Sequence, residues 1–128
     1  MSVHNDRQPA RVLIVDRSAD SRNVLRTILE RSGLEILEAP GARQGLELLR
    51  HHDPAVVVLD LEAYDADNAA VRTAYESESL HRHTELVILG NFRPSNHVDD
   101  PHRVPKPYHF GPLVRKIEQL VEYSRHQR

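Results

Sequence analysis

Two short runs of apolar residues, each ending in an aspartate, most constrain the fold of this chain. Residues 12–15 are followed by Asp16, and residues 56–59 are followed by Asp60. Unbroken apolar runs of this kind are typical of strands buried on both faces of a parallel sheet. Because ligands gather outside the carboxyl ends of strands in open α/β sheets, the two aspartates are candidates for one functional site.

The rest of the chain alternates strand and helix patterns. Strands are predicted at residues 11–16, 34–38, 55–60, 85–89 and 102–104, and helices at 18–31, 42–52, 68–79 and 110–123. Gly33 is the expected C-terminal stop of the first helix, and the helix at 68–79 is expected to be exposed and weakly apolar. Repeated β-α alternation predicts an α/β fold with a parallel sheet and helices on both faces.

Length and composition exclude several classes of protein. The chain has 128 residues and a net charge of -2, which favours one domain and indicates neither a nucleic-acid nor a membrane partner. It has no cysteine, so disulfides and thiolate sites are excluded. The nine histidines lack the helical spacing of a metal pair. No stretch is apolar and long enough to span a bilayer, and we expect a cytoplasmic protein.

The domain organisation is predicted to be simple. Residues 1–10 read as a disordered tail, 11–123 as the folded domain and 124–128 as a second short tail. No DNA-binding output domain is expected after the last helix. The protein would then act by contact alone, or the chain is an excised domain, and the sequence leaves both alternatives open.

Three segments follow one another along the chain: Val12-Leu13-Ile14-Val15-Asp16, Val57-Val58-Leu59-Asp60 and Lys106-Pro107-Tyr108. Together they resemble the receiver domain of two-component response regulators, the CheY-like family. The resemblance extends from residue 11 to residue 121 and implies a doubly wound, flavodoxin-like sheet with strand order 2-1-3-4-5. It also implies a signalling protein rather than an enzyme, with a histidine kinase or histidine phosphotransfer protein as phosphoryl donor and a protein as downstream partner.

The resemblance assigns a role to two residues. Asp60 matches the aspartate that accepts the phosphoryl group, with its carboxylate as nucleophile. Lys106 matches the lysine that binds a phosphoryl oxygen, and it is one of only two lysines beside 15 arginines. In the family Mg²⁺ assists this transfer, and Asp16 and Asp60 are the matching ligands.

The acidic pair of the family is altered in this chain. Receivers usually end the first strand with two acids, whereas Asp16 is followed by Arg17. Arg17 removes one oxygen ligand and adds a positive charge, so Mg²⁺ binding is expected to be weak or absent. Glu62 could supply a replacement carboxylate in this acidic pocket. Arg17 is expected to pair with Asp60 or Asp16 in place of the metal; the alternative is that it points to solvent.

The switch of the family is also altered. Gly90 stands where a serine or threonine hydroxyl reports phosphorylation, and Arg103 stands where an aromatic switch residue is common. The segment between Gly90 and Lys106 is short and contains Pro94 and Pro101, so the fourth helix of the family is expected to be short or lost.

Three hypotheses for function follow. The first is an atypical single-domain receiver in a phosphorelay that accepts a phosphoryl group on Asp60. The second is a degenerate pseudo-receiver that serves as a phosphorylation-independent interaction module. The third, an aspartyl-phosphate hydrolase, needs a second acid two residues after the nucleophile and a larger cap, and Asp60-Leu61-Glu62 in so short a chain matches it poorly.

Overall fold

The computed structural model describes residues 9–90 and 102–127. Within them five strands and four helices alternate along the chain. The strands are β1 (Arg11–Val15), β2 (Glu35–Ala39), β3 (Val56–Asp60), β4 (Glu85–Gly90) and β5 (Arg103–Pro105). The helices are α1 (Ala19–Arg31), α2 (Ala42–His52), α3 (Ala69–Arg82) and α4 (Phe110–Gln127).

The strands form one parallel sheet in the order β2-β1-β3-β4-β5, which confirms the predicted fold class and strand order. In this order β1 and β3 are neighbours, with Val15 opposite Leu59. Both strands therefore end at the same edge of the sheet. The prediction of a short or lost fourth helix falls on residues 91–101, which lie outside the described residues.

Alternating side chains of the central strands enter two separate cores. On β1, Val12 and Ile14 pack with α1 and α4 on one face of the sheet, while Leu13 and Val15 pack with α2 and α3 on the other. All five residues of β3 are buried. Since successive side chains of a strand point to opposite faces, this two-sided burial explains why the sequence shows unbroken apolar runs.

Local sequence sets the ends of the helices. The Ser18 side chain accepts a hydrogen bond from the Ser21 amide at 3.2 Å and caps α1. The Asn68 side chain caps α3 by accepting hydrogen bonds from the amides of Ala70 and Val71. Small polar residues of this kind satisfy amides that have no partner within the helix. Gly33 follows α1 with a φ of 82°, as expected of its C-terminal stop.

Helix α3 is more firmly anchored than its composition predicts. Tyr75 is completely buried, and its hydroxyl donates a hydrogen bond to the Ala42 carbonyl at 2.6 Å. Burial raises the pKa of this phenol. The ring reaches α2 because Gly45 has no side chain there. The helix is exposed over most of its length, as expected, and its buried face consists of Val71, Tyr75 and Ser79.

The loop after β3 is joined to the beginning of α2. Gly41 and Tyr64 form an isolated parallel bridge, and the Ala42 amide donates a hydrogen bond to the Tyr64 carbonyl at 2.6 Å. This contact places the loop beside the carboxyl edge of the sheet, and it ties the first turn of α2 to residues that follow Asp60.

Both ends of the folded domain extend beyond the predicted boundaries. Helix α4 continues to Gln127, and Ser124 is only 2% exposed, so the predicted tail at 124–128 is wrong. The helical spacing from Ile117 through Val121 reaches Ser124, which keeps this polar residue on the buried face. At the other end, the Ala10 carbonyl accepts a hydrogen bond from the Glu35 amide at 2.9 Å. Ala10 is therefore ordered against β2, and the remaining residues 1–8 lie outside the described part of the chain.

None of the described helices combines the length and the apolar character that crossing a bilayer requires.

We predict that Gly45→Ala destabilises the protein by about 1–3 kcal/mol, because overpacking in a filled core has that cost. The added methyl carbon would lie 2.6 Å from a Val15 methyl group and would also clash with the Tyr75 hydroxyl. Urea unfolding gives the free energy directly. The control is Gly111→Ala, where the nearest atom outside the helix backbone lies at 3.6 Å and no loss is expected. Equal stabilities for the two variants would contradict the close packing at Gly45.

Candidate functional site

Asp60 is the last residue of β3 and lies opposite Leu89 of β4. It is 3% exposed, although its carboxylate is at the carboxyl edge of the sheet. Its Oδ1 atom accepts a hydrogen bond from the Glu62 amide at 2.8 Å, which fixes the orientation of the carboxylate. Burial of a carboxylate is costly unless a cation and hydrogen-bond donors compensate it.

Lys106 supplies that cation. Its Nζ atom lies 2.8 Å from Oδ1 and 2.8 Å from Oδ2 of Asp60, and 3.2 Å from Oε2 of Glu62. The residue follows β5, and its amide donates a hydrogen bond to the Gly90 carbonyl at 2.8 Å. The Lys106-Pro107 peptide bond is cis. The structure thus brings together two residues that are 46 positions apart in the sequence.

The pKa of Lys106 reflects this environment. Burial is the largest single influence and lowers the pKa, but hydrogen bonds and Coulombic attraction from Asp60 and Glu62 together outweigh it. The net effect raises the pKa above its usual value. Lys106 therefore remains an ammonium at neutral pH, which is the form that binds anionic oxygens.

Asp16 lies next to this pair, at the end of β1. It is 7% exposed, and its Oδ1 atom accepts a hydrogen bond from the Ser18 amide at 2.8 Å. Burial raises the pKa of its carboxyl group, and the negative charge of Asp60 raises it further. The Ser18 amide, Lys106 and Arg22 act in the opposite direction without cancelling the shift. Burial is thus the main reason that the pKa of the Asp16 carboxyl group is raised.

Arg17 does not pair with either aspartate. Its guanidinium lies over the ring of Tyr64, with 5.8 Å between the guanidinium carbon and the ring centroid, and the side chain is exposed. The expected ion pair with Asp60 or Asp16 is thus wrong for this structure. Lys106 already contacts both oxygens of Asp60, so Arg17 turns outward and meets the aromatic ring instead.

The residues at this edge do not fit a Mg²⁺ ion. The described residues contain no group of three or more His, Cys, Asp or Glu side chains placed to hold a metal. Asp16 and Asp60 offer two carboxylates, but Lys106 already contacts both oxygens of Asp60, and an ammonium at that place opposes a divalent cation. Glu62, the suggested replacement ligand, is directed to Lys106 instead.

Gly90 and Arg103 occupy the two positions of the altered switch. Gly90 is the buried last residue of β4 and lies opposite Pro105 of β5, so its contribution next to Lys106 is only its backbone carbonyl. Arg103 begins β5 and is exposed. It lines an open pocket of about 240 Å³ between β4 and α3, together with residues that include Arg72 and Glu76. No aromatic ring therefore stands at position 103 to move toward the acceptor.

Tyr108 and Tyr64 have no role in the predicted site, yet Tyr108 lies near Asp16 and Asp60, and Tyr64 contacts Arg17. Tyr108 packs edge-to-face on Phe110, with 5.6 Å between ring centroids. Its pKa is raised by burial first, and then by the charges of Asp16 and Asp60, which places its hydroxyl in the field of the acidic pocket. The position of Tyr108 directly after Lys106-Pro107 is the sequence feature that could have identified it as a site residue. Tyr64 had no comparable signal, because its role depends on where Arg17 points.

Comparison with known proteins agrees with this architecture. No protein-family model matches the sequence. The chain is 32% identical over 78 residues to the transcriptional regulatory protein SrrA of Staphylococcus aureus (strain NCTC 8325 / PS 47), across 61% of this chain and 31% of that protein. The chain thus matches about a third of the length of this relative.

Solved structures share the fold over nearly the whole chain. A CheY-like response regulator receiver domain protein from Methanospirillum hungatei JF-1 superposes with a TM-score of 0.75 at 16% identity, over 94% of this chain and 100% of that one. The chemotaxis response regulator CheY4 of Vibrio cholerae gives 0.70 at 19% identity, over 88% and 99%. A receiver-modulated diguanylate cyclase from Pelobacter carbinolicus gives 0.68 at 22% identity, over 92% and 97%.

We predict that Asp16→Asn stabilises the protein increasingly as pH rises. The raised pKa means that the folded state holds the Asp16 proton more tightly than the unfolded state, whose pKa is near 3.8. The wild type therefore loses stability as pH rises from that value through the folded-state pKa, and the loss is complete above it. Asparagine does not titrate, and its side-chain oxygen can still accept from Ser18.

Urea unfolding of both proteins at several pH values between about 4 and 8 measures this difference. The exposed Asp67→Asn serves as control, with a difference from wild type that does not grow with pH. A stability difference for Asp16→Asn that stays constant or shrinks as pH rises would refute the assignment.

Proposed function

We propose that this chain, which has the receiver-domain fold of response regulators, accepts a phosphoryl group on Asp60 in a two-component phosphorelay. The observation that carries the proposal is the contact of Lys106 Nζ with both carboxylate oxygens of Asp60, at 2.8 Å each, at the end of the central strand. An oriented carboxylate beside a fixed ammonium has the two groups that phosphoryl transfer to an aspartate requires.

The two oxygens of Asp60 are not equivalent, and this favours Oδ2 as the nucleophile. Oδ1 accepts hydrogen bonds from both the Glu62 amide and Lys106. Oδ2 contacts Lys106 in an ion pair. Lone pairs committed to donors are poorer nucleophiles. In the proposed step Oδ2 attacks phosphorus, the bond from phosphorus to the donor breaks, and an acyl phosphate forms.

Lys106 then has a second role. Once Oδ2 is esterified, the carboxylate loses its charge, and the strongest anion near the ammonium is the phosphoryl group. The Nζ atom needs to move only a short distance to bind a phosphoryl oxygen, because its stem is flexible and its hydrogens are not fixed in a plane. Glu62, with a side chain 60% exposed, can turn to solvent when this happens.

The proposal includes the partners that the fold implies. The donor is a histidine kinase or a histidine phosphotransfer protein, the recipient of the signal is another protein, and the chain itself is a signalling domain rather than an enzyme. We place this exchange in the cytoplasm. SrrA is a transcriptional regulatory protein of about three times the matched length, so a role in transcription is a further candidate for a longer protein that contains this domain.

A phosphorylation-independent interaction module is the second candidate. It is favoured by the ion triplet of Asp60, Lys106 and Glu62, which already compensates the acceptor charge, and by Gly90, which has no hydroxyl to respond to a phosphoryl group. In that case the triplet is a structural element that ties the segment after β5 to the end of β3 across β4, and partners bind equally well whether or not a phosphoryl donor is present.

We predict that incubation with acetyl phosphate adds one phosphoryl group to the wild type and none to Asp60→Ala, as measured by intact mass. Lys106→Met should slow the reaction by about a hundredfold, the usual effect of removing one group that stabilises developing phosphoryl charge. Lys116→Met is the matched control, since it removes the only other lysine, which lies on α4, and should react like the wild type.

Two results would reject phospho-acceptance. One is a wild type that gains no mass with acetyl phosphate or with a phosphorylated histidine phosphotransfer protein. The other is a mass gain that persists in Asp60→Ala, which would place the phosphoryl group elsewhere.

A further inference from the structure

The site lacks a positive charge that phosphorylation of Asp60 would require. Two carboxylates, Asp16 and Asp60, are buried at this edge of the sheet, and the ammonium of Lys106 contacts both oxygens of Asp60. Phosphorylation would add a dianionic group to this edge of the sheet. Since the residues present do not fit Mg²⁺, the additional cation has to come from a side chain.

Arg17 is placed at the mouth of the site. It lies in the loop after β1, and Tyr64 lies in the loop after β3, and these adjacent strands carry Asp16 and Asp60 at their ends. The contact between the guanidinium and the Tyr64 ring therefore joins the two loops that follow Asp16 and Asp60. The backbone of Tyr64 is held by Gly41 and Ala42, which fixes the position of this residue beside Arg17.

The other cations beside the two aspartates are already engaged. Arg22 bonds to Glu38 at 3.2 Å and to the Asp16 carbonyl at 2.6 Å. Lys106 bonds to Asp60 and Glu62. The guanidinium of Arg17 instead rests on an aromatic face, an exposed contact that is weak compared with a charge-assisted, two-pronged hydrogen bond to phosphoryl oxygens.

We propose that Arg17 binds the phosphoryl group on Asp60 in place of a divalent cation, so that phosphorylation of this domain is independent of metal. The inference rests on the function proposed above and specifies its chemistry. Arg17 leaves the Tyr64 ring as the phosphoryl donor enters, and its fork of donors binds two of the phosphoryl oxygens while Lys106 binds another. The guanidinium is suited to this task because it stays charged at any physiological pH.

The reaction with acetyl phosphate balances without a metal or an added proton. Oδ2 of Asp60 forms the new bond to phosphorus, the bond between phosphorus and the acetate oxygen breaks, and acetate leaves with that electron pair. The charge on the transferred group is unchanged, and Arg17 and Lys106 neutralise it before and after transfer.

The test compares initial rates of phosphorylation by acetyl phosphate in EDTA and in millimolar Mg²⁺, measured by intact mass on the full chain. The wild type should react equally in both. Arg17→Ala should be slower in EDTA by about a hundredfold, because one group that stabilises the phosphoryl charge is lost. Arg17→Asp, which restores a carboxylate next to Asp16, should be inactive in EDTA and should become dependent on Mg²⁺.

Arg43→Ala is the matched control. Arg43 is an exposed arginine that pairs with Asp65 at 3.5 Å in the loop after β3, so its loss should leave the rate and its insensitivity to EDTA unchanged. Circular dichroism and urea unfolding of each variant separate a slower reaction from a loss of folding. The exposure of Arg17 makes a folding defect an unexpected result.

The outcomes separate this inference from the proposed function. A wild type that reacts only with Mg²⁺, or an Arg17→Ala variant as fast as wild type in EDTA, overturns the role of Arg17 and leaves Asp60 as acceptor. An unreactive wild type with a reactive Arg17→Asp variant also overturns it, since Arg17 would then block the acceptor. If no variant reacts in either solution, the proposed function fails and the inference fails with it.

Discussion

The ion pair between Lys106 and Asp60 is the interaction on which the site depends. Parallel strands bring two carboxylates to one edge of the sheet and bury both of them, and two such charges repel each other in a medium of low polarity. The ammonium that compensates them comes from the far end of the sheet, after β5. Because the Lys106 amide also bonds to the Gly90 carbonyl, the position of the charge is set by the pairing of β5 with β4.

The fold could be predicted because it follows from patterns that tertiary contacts do not override, whereas the roles expected of Asp60 and Lys106 came from the resemblance to receiver domains. Unbroken apolar runs identify strands buried on both faces, and the parallel arrangement then directs the ends of β1 and β3 to the same edge. The residue types at those ends limit the chemistry. Asp60 and Lys106 meet because β3, β4 and β5 end at the same edge of the sheet.

Other features depend on the directions and the packing of side chains, which a local sequence pattern does not predict. The prediction placed Arg17 against a carboxylate because opposite charges attract, yet Lys106 contacts both oxygens of Asp60 and Arg17 lies over Tyr64. The burial of Tyr75 depends on the missing side chain of Gly45, 30 residues earlier in a different helix. Ser124 is buried although it is polar, so composition alone ended α4 too early.

The hydrogen bond from the Ala42 amide to the Tyr64 carbonyl has a consequence for how a partner could read this domain. The bond joins the loop after Asp60 to the first turn of α2. The Ala42 amide is available for it because an amide at the beginning of a helix has no hydrogen-bond partner within the helix. A protein that binds the N-terminal end of α2 would therefore respond to the position of Tyr64 without contacting Asp60. Gly90 has no side chain that could rotate toward Asp60. The backbone contact between the loop and α2 is therefore an alternative route from Asp60 to a bound partner.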